Sequence, residues 1–122
     1  MTNTSQANAK LARTWLEAFN AHDATALVAL YTDDATHTSP KIRALYPQTG
    51  GKVIGRPVLK DWWSDAMKKM PTLRYEELSI TASDERVFLE YVRHAPEEPP
   101  FTVAEVFDVR DGKICASRVY HG

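Results

Sequence analysis

The chain has 122 residues, 43% of them hydrophobic and 25% charged, with five glycines, a composition that fits one soluble globular domain. At this length about two-thirds of the unfolded surface is buried on folding, which allows a core with room for a pocket and no need of disulfides or structural metal. Fifteen Lys and Arg against sixteen Asp and Glu give a formal net charge of -1, without the cationic excess that a phosphate backbone demands; there is also no membrane-length apolar run and no signal-like opening.

The expected setting is therefore cytoplasmic, with neither nucleic acid nor membrane as partner. Leu11, Trp15 and Phe19 recur every fourth residue between about Ala7 and Ala21, flanked by Ala12, Leu16 and Ala18, which predicts an amphipathic helix. Asp23 is placed to cap a second, shorter helix through Leu27, Val28, Leu30 and Tyr31, ended by Asp33-Asp34 because acidic residues are unfavourable near a helix C-terminus. Ala35 to Ser39 reads as a short extended piece, with His37 and Ser39 on one face and Thr36 and Thr38 on the other, stopped by Pro40. Lys41 to Ile54 contains Pro47 and Gly50-Gly51 and shows no period, so it reads as a long loop and a candidate lid. A third helix starts near Pro57, places Leu59, Trp63, Ala66, Met67 and Met70 on one face, and ends with Lys68-Lys69 before Pro71.

Beyond Pro71 the period changes to two. Arg74 to Thr81, Arg86 to Arg93, Phe101 to Arg110 and Ile114 to Tyr120 read as four strands in series, broken at Ser83-Asp84, Ala95 to Pro100 and Asp111-Gly112. No repeat or linker divides the chain, so one domain, residues 1–122, is expected. The predicted class is α+β: three N-terminal helices packed on the concave face of a curved, mainly antiparallel sheet, together enclosing a cone. Cys115 is the single cysteine and is read as packing.

Leu16 to Asp23, then Ala26 to Thr36, the Gly55-Arg56-Pro57 start of the third helix and the Arg110 to Ile114 hairpin together resemble the nuclear transport factor 2-like superfamily, in particular its SnoaL-like branch. The resemblance spans nearly the whole chain and is specific for fold; its members include isomerases, polyketide cyclases, dehydratases, epoxide hydrolases and non-catalytic binding modules. Against ketosteroid isomerase, the resemblance places that enzyme's base at Ser39, its tyrosine donor at Trp15 and its acid donor at Glu105, with two further network tyrosines at Tyr31 and Trp63. Serine cannot replace a carboxylate as a proton acceptor at neutral pH. The resemblance also implies a homodimer through the convex sheet face, where Tyr120, Val106 and Val92 would lie.

Two residues stand out chemically. His37 shares a strand face with Ser39, and an imidazole with an ordinary pKa near about 6.5 can take or give a proton at neutral pH; the plainer alternative is a histidine satisfied by Tyr31 or a backbone carbonyl. Glu105 interrupts the apolar run Val103-Ala104-Glu105-Val106-Phe107, where an unpaired buried charge is costly. It is either neutral and a hydrogen-bond donor, or paired with a cation such as Arg93 or His37. Alternation sets Val87, Leu89, Tyr91 and Arg93 on one face, taken as inward, and His121 at the pocket mouth. Trp15, Phe19, Tyr31, Trp62, Trp63, Met67 and Phe107 supply an aromatic and apolar wall suited to a small apolar ligand. Lys41, Arg43 and Tyr46 read either as solvated surface residues or as contacts for an anionic or hydroxylated end of it. His22, His37, His94 and His121 show no metal-ligand spacing, and no phosphate loop or nucleophile elbow occurs, so neither metal nor cofactor is expected.

These readings give a cofactor-independent isomerase or cyclase acting on a small apolar carbonyl compound, with His37 as base and Glu105 and Tyr31 stabilising the enolate. The alternatives are a non-catalytic binding or sensing module for a hydrophobic metabolite, and an interaction domain working through the outer sheet face. The catalytic reading requires His37 and Glu105 to share one dry hollow.

Overall fold

The computed structural model describes residues 3–121. Four α-helices, α1 (Asn3–Asn20), α2 (Ala24–Val28), α3 (Pro40–Leu45) and α4 (Arg56–Lys69), combine with six strands: β1 (Tyr31–Thr38), β2 (Lys52–Ile54), β3 (Arg74–Ala82), β4 (Arg86–His94), β5 (Phe101–Arg110) and β6 (Lys113–His121). The strands form one curved sheet in the order β2-β1-β6-β5-β4-β3, antiparallel throughout except for the β1–β6 pair. The expected α+β architecture is present, and the four late strands stand within a residue of the ranges their alternation predicts.

The apolar stripe of α1 explains its place. Ala12, Trp15, Leu16 and Phe19 are buried and face the inner side of β3 and β4, while Leu59, Trp63 and Met67 do the same for α4 over β1. On β4, Val87, Leu89, Tyr91 and Arg93 are all buried, so the set taken as inward is the inward face. On β5 the inward set is Val103, Glu105 and Phe107. No described helix is long and apolar enough to cross a membrane.

Residues 31–34 depart from expectation. The second helix, capped by Asp23 through a bond from Ala26 N, stops at Val28, and Tyr31 opens β1 instead of closing the helix. Tyr31 is fully buried between Trp15 and Ser117, and β-branched Thr32, Thr36 and Thr38 favour the pleated conformation, so tertiary burial overrides the helical spacing.

The stretch 41–54 is likewise not a single loop. Pro40 does not stop structure; it occupies the first turn of α3, where its missing N–H costs nothing, and Ser39 Oγ caps that helix by accepting from Lys41 N at 3.1 Å. A 3-10 turn at Pro47–Thr49 follows, and β2 then pairs with β1 through Thr36, His37 and Thr38. Gly51 has φ 87 and sits so close to Ser39 that an added Cβ would lie 3.3 Å from its carbonyl oxygen, which fixes glycine there. The helix count is four where three were expected.

Candidate functional site

The sheet's concave face, α1, α3 and α4 enclose a cavity of about 330 Å³. Ten of the wall and site residues singled out from sequence line it: Trp15, Phe19, His37, Ser39, Trp62, Trp63, Tyr91, Arg93, Glu105 and His121. Tyr31, Met67 and Phe107 do not. They are buried core residues behind the wall, and Tyr31 touches the site through Trp15, Trp63 and Ser117. Of the three polar loop candidates, Lys41 is on the cavity rim, while Arg43 and Tyr46 are not among its lining residues.

The apolar wall is a run of stacked rings. Trp15 and Phe19, one helical turn apart on α1, have ring centroids 5.4 Å apart; Phe19 lies 3.9 Å from Tyr75, and Tyr75 lies 4.0 Å from Tyr91. Trp63 covers the opposite side, with its ring 4.9 Å from that of His37. Tyr75 was missed by the sequence reading, because its strand alternates weakly among Arg74, Glu76 and Glu77 and gives no sign of which face is inward. Glu98 was missed too; it sits in a turn with no local signal for a site.

Glu105 is 1% exposed. Tyr91 donates its hydroxyl hydrogen to Glu105 Oε1 at 2.8 Å, and Oε2 is the one buried side-chain oxygen or nitrogen without a hydrogen-bond partner among the described residues. Burial pushes the Glu105 carboxyl up to about 8, partly opposed by the Tyr91 bond. At neutral pH the group is therefore a neutral acid. With Oε1 accepting from Tyr91, the proton belongs on Oε2.

His37 is 3% exposed, and burial pushes its imidazole down to about 3. Its Nδ1 lies 4.0 Å from Glu105 Oε2. An ion pair at that distance would raise the imidazole and lower the carboxyl, and both shifts run the other way. Two neutral groups share the hollow.

Hydrogen-bond completeness assigns the tautomer of His37. Trp15 Nε1, which can only donate, gives its hydrogen to Tyr31 Oη at 3.1 Å; the Tyr31 hydroxyl donates to Ser117 Oγ at 3.0 Å; Ser117 Oγ is 2.6 Å from His37 Nδ1. Because Ser117 is fully buried, its own hydrogen must go to Nδ1 for every donor to be used. Nδ1 then accepts, and Nε2 carries the N–H. The lone pair that a general base needs is already engaged.

His121 is the other imidazole in the cavity. Register pairs Glu105 with Val119 and Val103 with His121, so the histidine follows two residues further along the same inward face, roughly 7 Å away along the strand. His121 is exposed at the cavity mouth; partial desolvation there, with the charges of Lys41 and Arg93, lowers its pKa, which keeps it neutral and able to accept a proton at pH 7. Ser39 Oγ is committed to capping α3. No cluster of three or more His, Cys, Asp or Glu side chains suited to a metal occurs among the described residues.

Comparison with known proteins agrees with this architecture. The model for the SnoaL-like domain matches residues 12–117. A SnoaL-like protein of unknown function from Burkholderia thailandensis superposes with a TM-score of 0.83 at 23% identity, covering 100% of this chain and 97% of that one. A candidate polyketide cyclase from Xanthomonas campestris gives 0.77 at 26% identity over 98% and 93% of the two chains. A candidate ketosteroid isomerase from Kribbella flavida gives 0.78 at 15% identity over 97% and 79%. No curated protein matches the sequence.

Proposed function

The chain belongs to the SnoaL-like domain family, within the nuclear transport factor 2-like superfamily, and from that premise we propose that it is an isomerase or cyclase-type enzyme acting on a small apolar carbonyl compound by acid-base chemistry. The observation that carries this reading is Glu105 Oε2, a buried protonated oxygen without a protein partner on the wall of an aromatic cavity. A carbonyl oxygen is the complement of such a donor. As charge develops on that oxygen the carboxylic acid stabilises it in a dry site, where one preorganised donor is worth about 3 kcal/mol of barrier.

In this reading His37, held as the Nε2–H tautomer, is a second polarising donor, and the proton-transfer role falls to His121. The proton next to the carbonyl moves to the His121 imidazole, the electron pair moves onto the carbonyl oxygen facing Glu105, and the proton returns to the same or a conjugated carbon. No redox change occurs, so the step needs no cofactor. Tyr91 positions Glu105 by its bond to Oε1.

The test is deuterium exchange in heavy water. Alpha-tetralone incubated with the protein should gain deuterium beside the carbonyl faster than the buffer reaction, and Glu105→Gln should slow this by about a hundredfold. Exchange equal to buffer would remove the catalytic reading.

The alternative is a binding module for a hydrophobic metabolite. It is favoured by Ser39, which stands where the related isomerase keeps its carboxylate base and here serves a helix cap. Saturable tetralone binding without any exchange would select it. In either case the partly apolar outer sheet face, with Phe88 and Tyr120 exposed, supports self-association through that face.

A further inference from the structure

The floor of the cavity is neutral, but its outer end is charged. Arg93, the last inward residue of β4, is 6% exposed; its guanidinium lies 5.6 Å from the Phe101 ring centroid, with Nη2 3.6 Å from Met70 Sδ. Nη1 donates to Glu98, whose carboxylate also meets Lys41 Nζ at 3.6 Å from the far side of the mouth. All three charged residues line the cavity.

A buried guanidinium requires an anion. Here the anion is a side chain 37% exposed, carried on the turn 95–100 next to Glu97, whose φ of 62 is the left-handed region. That turn is held by a single long backbone bond, Glu98 N to Ala95 O at 3.4 Å, among the turn and loop bonds of the described residues. Glu98 can therefore leave at small cost to the backbone, provided another carboxylate replaces it. One anion exchanged for another leaves the charge at Arg93 unchanged.

We propose that Arg93 and Lys41 form a subsite for a substrate carboxylate, with Glu98 as the internal stand-in that the substrate displaces. The substrate class is then an apolar oxo acid, and the assignment rests on reading Glu105 as the donor to its carbonyl. Glu105 pairs in register with Leu89 and Phe101 with Arg93, so the strand positions that carry the two anchors are offset by four residues, with Tyr91 and Tyr75 between them. A substrate whose carbonyl and carboxylate are separated by a short chain or ring, lying across Tyr91 and Tyr75, meets both.

The experiment is calorimetric titration of the full chain with three probes: 6-benzoylhexanoate, its methyl ester, and hexyl phenyl ketone. The acid should bind about tenfold tighter than the ester, and Glu98→Gln should widen that ratio by removing the competitor. Arg93→Met should bring the ratio close to one; because the substitution removes a buried charge, its fold is checked by ketone binding, and Lys41→Ala, at an exposed site, should narrow the ratio independently. If acid, ester and ketone bind alike and Glu98→Gln changes nothing, the subsite is refuted while the carbonyl pocket stands. If ketone binding is absent from the wild-type chain, the carbonyl reading fails and this inference falls with it.

Discussion

Glu105 Oε2 and His37 Nδ1 lie 4.0 Å apart on side chains that are almost fully buried, yet neither carries charge at neutral pH. Burial has overcome attraction: both side chains are almost wholly enclosed, and the Tyr91 bond offsets the effect on Glu105 only in part. An ion pair would place two charges in a region with few compensating donors.

The pair shapes stability against pH. Glu105 keeps its proton in the folded chain up to about 8 against 4.5 when free, so its contribution is full below 4.5 and is lost as pH rises from there towards 8. His37 has the opposite sign: its folded pKa of about 3 lies under the free value of 6.5, so its contribution is present above 6.5 and lost as pH falls towards 3. Between 4.5 and 6.5 the two slopes cancel. Urea melts should show a plateau there, with a decline on the alkaline side of about 1.4 kcal/mol per pH unit from Glu105. Glu105→Gln should abolish that alkaline decline; an unchanged slope between 6.5 and 8 would contradict a raised carboxyl.

Ser117 is the joint between His37 and the Tyr31–Trp15 pair. Ser117→Ala leaves the Tyr31 hydroxyl and His37 Nδ1 buried without each other's relay, and should cost about 1–3 kcal/mol. Nitrogen NMR of labelled histidine should find the proton of His37 on Nε2 in the wild type and a mixture of tautomers in the variant. A wild-type proton on Nδ1 would restore His37 as a base and take that role from His121.

Tyr91 holds the Glu105 carboxyl below what burial alone would give. Tyr91→Phe should therefore move the alkaline limb of the exchange rate upward from about 8, besides lowering the rate itself. A purely structural role for Tyr91 would reduce the rate without moving the limb.

The outer sheet face offers a separate measurement. Phe88 and Tyr120 are 43% and 53% exposed there. Sedimentation at micromolar concentration should give a dimer, and Phe88→Glu should convert it to a monomer with the cavity intact. A monomeric wild type would leave this face without the proposed role.

The sequence made some of this site legible and concealed the rest for identifiable reasons. Glu105 was visible because a carboxylate inside an apolar strand contradicts its surroundings. Alternation grouped Tyr91 with Arg93 on one face of β4 and His37 with Ser39 on one face of the extended piece that ends β1, because one buried side forces strict parity, while which face is inward follows from the packing of the helices. Tyr31 was misplaced, since its spacing from Leu27 is helical and only long-range burial against Ser117 makes it a strand residue. Pro40 was ambiguous in itself: it ends one element and begins another, and Ser39 decides the matter by capping α3. β2 is three residues long, too short for any period. Glu98 gains meaning only from Arg93 and Lys41, which approach it from different elements.

The hydrogen bond between His37 and Ser117 joins residues 80 positions apart, through the one parallel strand pairing in the sheet. The hairpins from β3 to β6 need only neighbours in the chain, whereas β1 must wait for β6 and closes the largest loop in the hearth of the molecule. Refolding should therefore recover most of the backbone's hydrogen-bonded order before the histidine acquires its serine, so completion of the cavity would lag behind circular dichroism in time.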